Sequence, residues 1–354
     1  MHALTFHGKE TIRYEVVPDP GIEAPTDAIV KVSACAICGS DLHPYFEREK
    51  GLDHGCAMGH EFVGEVVELG KAVKTLRIGD KVMSPFTTSC GECFYCRRGL
   101  TCRCERGQLF GWRSKGHGLH GGQAEYVRVP LADSTLVRIP GGLPEETALL
   151  LGDILSTGYF CADQAAIRPD AVQVVVGCGP VGLMAIWAAR QLGAENIFAI
   201  DSIPARLAKA AEWGATPINY LKENPGETVR SATEGRGADA VMEVVGSGSA
   251  GRSAFELLRP GGAFSAVGVC TDQHLAFSPV EAYDKNLTYK VGRCPARHYM
   301  ERLIEPAIRD AEQLNTVFSH RVPLSEGPEY YRVFAERAED CLKVLLRPGS
   351  NFLL

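Results

Sequence analysis

The run VVVGCGPVGLMA at residues 174–185 decides the architecture of half of this chain. Three β-branched residues lead into Gly177, Gly179 and Gly182, a G-x-G-x-x-G turn at the head of a helical pattern. Gly177 permits the tight turn, Gly179 lets a pyrophosphate approach the backbone, and Gly182 allows close helix packing. The helix N-terminus adds unpaired N–H donors and a positive dipole end. The next apolar strand, NIFAI, ends in Asp201, near the ~20-residue distance expected of a carboxylate that accepts the adenosine ribose hydroxyls. A carboxylate there repels the 2′-phosphate of NADP, and the Ser-Ile-Pro that follows supplies no basic pair, so NAD is the expected cofactor. Asp is also a favoured helix N-cap, which is the plainer use of Asp201. Arg206 is a candidate ribose or phosphate contact.

Outward from this turn the texture repeats. After Gly152, apolar strands alternate with helical patterns (ENIFAIDS, IPARLAKAAEWGA, ADAVMEVVG, GAFSAVGV), as a parallel sheet covered on both faces requires. Before Gly152, short alternating runs such as DAIVKVSACAIC, EFVGEVVELG and AEYVRVP are punctuated by Gly, Pro and Asp, which predicts a β-rich, antiparallel or barrel-like half. Helical patterning resumes from about Arg297 to Asp310. The fold class is therefore α/β, with 354 residues and 45% hydrophobic content enough for two cores. A net charge of -6 with scattered Lys and Arg argues against a nucleic-acid partner. No apolar run reaches the roughly 18 to 20 residues of a membrane span, and MHALTFHGKE lacks a signal peptide's basic start and apolar core, so a cytoplasmic location is expected.

The 13 cysteines point to metal rather than disulfides, because the count is odd and the spacing clustered. In CGECFYCRRGLTCRC, residues 90–104, the thiols of Cys90, Cys93, Cys96 and Cys104 stand at C-x2-C-x2-C-x7-C spacing. Four thiolates close a tetrahedral zinc site and leave no position for a substrate, so this site is structural. Cys102 competes with Cys104 on spacing. Elsewhere, Cys38 and His60 supply two of the three protein ligands of an open, catalytic zinc. Asp153, at the seam between the two textures, is a candidate third ligand or an N-cap for the segment after it. Cys35 lies on a strand with Cys38, so one of the two should point away from the metal. Cys56, Cys161, Cys178, Cys270 and Cys341 read as small buried hydrophobes.

CAICGSDLH (35–43), GHEFVGEVVELG (59–70), GDKV (79–82), the Cys90–Cys104 lobe, LSTGY (155–159), GCGPVGL (177–183) and EDCLKVLL (339–346) together resemble the zinc-dependent medium-chain alcohol dehydrogenases over essentially the whole chain. The resemblance implies a GroES-like catalytic domain over 1–152, a Rossmann NAD-binding domain over 153–297, and a C-terminal segment, 298–354, that completes the catalytic domain. It makes Cys38, His60 and Asp153 the catalytic zinc ligands. Many relatives have Cys at the third position; bacterial secondary-alcohol dehydrogenases have Asp. It assigns Cys104 rather than Cys102 to the structural zinc and places Glu61 behind the catalytic one, the plain alternative being a buried carboxylate held by an Arg. Asp41 would orient the ligating His, Ser40 and His43 would form a proton relay, and Thr157 would contact the nicotinamide. Pro180, Val181, Val245, Gly268 and Val269 join the cofactor contacts, with Lys343 as a pyrophosphate-binding base.

The implied reaction is reversible oxidation of an alcohol to an aldehyde or ketone, with hydride passing to NAD. Phe86, Trp112, Arg293 and Cys294 are the implied substrate pocket, and the two aromatic walls favour an apolar or aromatic substrate. A polyol dehydrogenase and a catalytically inactive NAD-binding relative are the alternatives. The loop RSKGHGLHGG (113–122) is expected near the site mouth or as a flexible surface turn. A homodimer or homotetramer is implied by the resemblance alone.

Overall fold

The computed structural model describes residues 1–349; the final residues of the expected C-terminal segment lie outside them. The chain divides into two compact units, Met1–Ser156 together with the chain from Pro295 onward, and Thr157–Cys294.

The first unit is built on a seven-stranded sheet. Its central strand, Ala28–Ile37, pairs antiparallel with Glu61–Leu69, with Tyr126–Val129 and with Val344–Arg347. The strands before Gly152 pair antiparallel, as their alternation predicts; His320–Pro323, from the C-terminal segment, runs parallel to Val344–Arg347. Register does the important work. Ala36 faces Glu61 and Ile37 faces Val344, so Cys38, the His60–Glu61 pair and Lys343 arrive at one corner of the sheet from three distant parts of the sequence. Beneath lies a core of Leu4, Phe6, Val30, Val32, Phe62, Val66, Phe110 and Leu346, with Tyr331 fully buried among them. The loop 113–122 is an ordered hairpin, Trp112–Ser114 against His117–Leu119. Asp53 holds its tip by accepting from the N–H groups of Lys115 (2.8 Å) and Gly116 (2.7 Å).

In the second unit six strands lie in the order Thr216–Asn219, Asn196–Asp201, Val172–Val176, Ala238–Glu243, Leu258–Ala266, Thr288–Val291, and every pair is parallel. This is the 3-2-1-4-5-6 order of a Rossmann sheet, whose strand order reverses beside Val172–Val176. The first glycine of the turn follows that strand directly. No helix among the described residues is long and apolar enough to cross a membrane.

Candidate functional site

The glycine turn closes as its spacing requires. Gly177 has φ +101°, a Cβ on it would come within 2.6 Å of Val245, and a Cβ on Gly182 would overlap the Gly177 carbonyl oxygen. Pro180 and Val181 start the helix Pro180–Gln191, for which Pro at its first position is well suited. Asp201 ends its strand and accepts from the N–H of Cys178 (2.8 Å) through Oδ2, and from those of Ser202 (2.7 Å) and Ile203 (3.0 Å) through Oδ1. It is therefore welded to the glycine turn rather than capping the helix Pro204–Glu212, whose N-cap is Ile203. The Arg206 guanidinium lies 3.6 Å from where Gly179 would carry a Cβ. Val245 and Val269 stand exposed just beyond the strands Ala238–Glu243 and Leu258–Ala266, at the strand ends where such sheets take their ligands, and Gly268 packs against Gly246.

Among the described residues, two groups of side chains, both in the first unit, could hold a metal ion, each with its ligand atoms within 4.8 Å of one another. The first is Cys90, Cys93, Cys96 and Cys104; Cys102 is not among them. Backbone N–H groups of Cys93 and Cys90 point at the sulfurs of Cys90 (3.3 Å) and Cys104 (3.2 Å). Burial raises the Cys90 thiol, but the Glu92 N–H, the Arg106 guanidinium and the Cys93 N–H outweigh it and bring it down to about 6. Burial pushes Cys96 up to about 12. Four sulfurs with donors turned toward them suit a thiophilic cation in closed tetrahedral ligation.

The second group is Cys38, His60, Glu61 and Asp153, all buried. Asp153 stands between the helices Glu145–Leu151 and Ile154–Gln164. Its Oδ2 lies 3.3 Å from Cys38 Sγ and 3.1 Å from His60 Nε2. Ligands bonded to zinc at about 2.1 Å in tetrahedral geometry are separated by roughly 3.4 Å, so these spacings fit one ion. The donor set fits as well: the Cys38 thiolate and the Asp153 carboxylate, buried 3.3 Å apart, repel one another unless a cation sits between them. Burial pushes Cys38 up to about 11, with Asp153 and Glu61 adding to it. Burial opposes charge on His60, yet Asp41, Cys38 and Asp153 hold it well above the usual imidazole value. Burial likewise opposes the charge on Asp153, but His60 and Lys343 keep it well below the usual carboxylate range. Cys35 is left out of the cluster, its sulfur 3.7 Å from the carbonyl of Leu346.

Around this group, Asp41 Oδ1 lies 3.2 Å from His60 Nδ1, and its Oδ2 accepts the Cys38 N–H at 2.9 Å. Ser40 Oγ reaches Cys38 Sγ (3.3 Å) and His60 Nε2 (3.2 Å). His43, on the helix Leu42–Tyr45, has a buried Nδ1 with no hydrogen-bond partner among the described residues, and none joins it to Ser40. Thr157 is half-buried in the helix Ile154–Gln164. The Phe86 ring meets the His60 ring edge-on at 6.3 Å, and the Phe86 N–H bonds the Gly152 carbonyl at 3.2 Å. Trp112 packs against the core of the first unit, while Arg293 is exposed and Cys294 buried in the second.

Two expectations need correction. Lys343 is not free to serve as a pyrophosphate base: it is 1% exposed, its Nζ is ion-paired with Glu61 and donates to the Ile37 carbonyl at 3.2 Å. A cation brought into the interior by the sheet register must be paired there, and the carboxylate that needs it is Glu61. Cys270 is exposed rather than buried, because it follows Val269 into the irregular segment after the strand. Sequence reasoning also missed Gln123 and Tyr331, whose hydrogen bonds lead to Asp41.

Comparison with known proteins agrees with this geometry. Residues 24–141 match the alcohol dehydrogenase GroES-like domain and residues 180–307 the zinc-binding dehydrogenase family. The chain is 42% identical to zinc-type alcohol dehydrogenase B of Aspergillus flavus, over 99% of its own length and 82% of the relative's. The chain belongs to the zinc-dependent medium-chain alcohol dehydrogenases. The alcohol dehydrogenase TADH from Thermus sp. ATN1 superposes on this dehydrogenase with a TM-score of 0.92, at 41% identity, covering 98% of this chain and 100% of the other. The NADP-dependent isopropanol dehydrogenase of Thermoanaerobacter brockii is 36% identical to it over 81% of this chain and 82% of the relative. This dehydrogenase is thus an alcohol oxidoreductase with zinc as its metal, and its Rossmann-type unit fits a nicotinamide dinucleotide.

Proposed function

We propose that this dehydrogenase interconverts an apolar alcohol and its aldehyde or ketone with NAD, using one zinc held by Cys38, His60 and Asp153 and a second, structural zinc held by Cys90, Cys93, Cys96 and Cys104. The observation that carries the reading is the convergence of Cys38 Sγ and His60 Nε2 on Asp153 Oδ2, at 3.3 and 3.1 Å, beside a serine hydroxyl and an aromatic edge. When bound, zinc supplies a Lewis acid that polarises the substrate oxygen, and the nicotinamide accepts a hydride. The chain does the rest. Asp41 keeps the proton of His60 on Nδ1, so Nε2 offers a lone pair. Ser40 stands beside two of the three ligands, where its oxygen can take the alcohol proton, and His43 is the group to pass it on; Thr157 is assigned to the nicotinamide by resemblance only. Glu61, neutralised by Lys343, backs the site.

Phe86 beside His60 favours hydrocarbon over a chain of hydroxyls, whose desolvation would go uncompensated; Trp112, Arg293 and Cys294 are assigned to the pocket by resemblance only. The secondary alcohol named for the T. brockii relative agrees with an apolar substrate. A panel of alcohols and polyols with NAD tests the reading. A 2-alkanol or benzyl alcohol should exceed sorbitol in kcat/KM by at least ~10-fold, roughly 1.4 kcal/mol. A sorbitol preference of that size would make the enzyme a polyol dehydrogenase.

The preference for NAD rests on Asp201, whose carboxylate is fixed against the glycine turn where a 2′-phosphate would arrive. Asp201→Gly should shift the kcat/KM ratio toward NADP by roughly tenfold or more. It should also lower the melting temperature, because three backbone N–H groups lose their acceptor. A wild type that prefers NADP, as its T. brockii relative is named to, would sink the argument.

A homo-oligomer is supported by the outer strand Thr288–Val291, paired on one side only among the described residues, with Val280, Tyr283 and Val291 exposed around it. Such an edge can pair with its own copy across a two-fold axis. Sedimentation as a monomer at micromolar concentration would remove that support. A cytoplasmic location fits the reduced cysteines.

A further inference from the structure

We infer that Gln123 and Tyr331 are positioning residues for the Cys38–His60–Asp153 centre: a buried chain of hydrogen bonds, Tyr331 to Gln123 to Asp41 to His60, sets the ring orientation and tautomer with which His60 meets its metal. The inference rests on the proposed metal reading of that centre.

The chemistry of each link leaves one arrangement. Gln123 Nε2 lies 3.0 Å from the Ala36 carbonyl and 3.2 Å from Asp41 Oδ2, both acceptors, so the amide nitrogen is on that side. Its Oε1 then faces the Tyr331 hydroxyl, which donates at 2.7 Å. Asp41 Oδ2 receives both the Gln123 amide and the Cys38 N–H (2.9 Å), which turns Oδ1 toward His60 Nδ1 at 3.2 Å. A carboxylate oxygen can only accept, so Asp41 holds a proton on Nδ1; Nε2, 3.1 Å from the Asp153 carboxylate, is then the nitrogen that gives up its proton when the metal takes its place between the two.

The path is built rather than incidental. Gln123 and Tyr331 are both fully buried, and Asp41 nearly so. The Gln123 side chain crosses directly over Gly59, which precedes His60 and sits at φ +85°; a Cβ there would overlap Gln123 Cγ. The Gln123 backbone is clamped on both sides, its N–H to Met58 O and its carbonyl to the Leu4 N–H, both at 2.9 Å. Tyr331 comes from the helix Gly327–Glu336, so a segment 208 positions after Gln123 acts on the centre without touching it.

The test uses the zinc-loaded full-length enzyme and variants that keep shape, Gln123→Met and Tyr331→Phe, with dipicolinate as chelator. Zinc release should show two phases, one for each centre, and Cys38→Ala should lack one of them. Gln123→Met should speed release from the Cys38 centre by ~10-fold or more, Tyr331→Phe by less, and leave the four-cysteine phase unchanged. Because Tyr331 acts only through Gln123, the double variant should match Gln123→Met. Cobalt in place of the catalytic zinc should show a shifted visible spectrum in Gln123→Met. Equal acceleration of both phases, additive effects, or an unchanged rate and spectrum in either folded variant would overturn the inference, since packing alone predicts those results. If Gln123→Met does not fold, the same comparison in Tyr331→Phe decides. Retention of both ions by Cys38→Ala would instead overturn the metal reading, and this inference with it.

Discussion

Cys38→Ala should lower kcat/KM by at least ~1000-fold, about 4 kcal/mol at the transition state, while the protein stays folded with one zinc bound. The buried Cys38 thiol, pushed up to about 11, becomes a thiolate only with a cation beside it, and its loss leaves His60 and Asp153 as a two-ligand site. The four-cysteine lobe shares no ligand with that site, so its ion should remain. Cys90→Ala should give the reverse pattern, with a weakened lobe and the Cys38 ion retained. Metal analysis beside steady-state kinetics checks both. Two ions in Cys38→Ala, or activity within tenfold of wild type, would remove Cys38 from the site.

Lys343→Met should destabilise the folded chain by roughly 3–5 kcal/mol, the usual result of removing one member of a buried ion pair. Glu61 and Lys343 are each 1% exposed, and the second carboxylate oxygen of Glu61 has no hydrogen-bond partner among the described residues. Burial already raises the Glu61 carboxyl to about 7, against the pull of Lys343. Without the ammonium it rises further, and a carboxyl raised in the folded state costs stability above its unfolded value. The deficit should therefore be larger near pH 8.5 than near pH 6. Glu61→Met combined with Lys343→Met should recover most of it, because two apolar side chains leave no charge uncompensated. Urea midpoints of the zinc-loaded proteins provide the comparison. A single-variant loss below about 1 kcal/mol would mean that the pair is not structural.

What was legible in the sequence was local. The glycine turn, the four-cysteine spacing and the alternation of strands and helices are short-range patterns, and the structure has each of them. Cys38, His60 and Asp153 were named from their ligand chemistry and a resemblance, and the structure brings them together. What escaped depends on register and long-range packing. Gln123 and Tyr331 carry no motif, and their link to Asp41 exists only because the Gln123 side chain crosses Gly59. Lys343 looked like a phosphate base until the pairing of Ile37 with Val344 set it beside Glu61. Cys270 shows the same limit, since nothing in its neighbours distinguishes a buried thiol from one in an exposed irregular segment.

The pairing of Val344–Arg347 with Ala28–Ile37 has a consequence for biosynthesis. The Ile37 carbonyl and the Lys343 ammonium that caps it are 306 positions apart, and at about 5–20 residues per second the ribosome needs roughly 15–60 s to deliver the second after the first. Through that interval the Ala28–Ile37 strand lacks the neighbour that covers Ile37, and Glu61 lacks the ammonium that pairs with it in the folded chain. This corner is thus assembled late in translation, and its long sequence separation makes its closure slow.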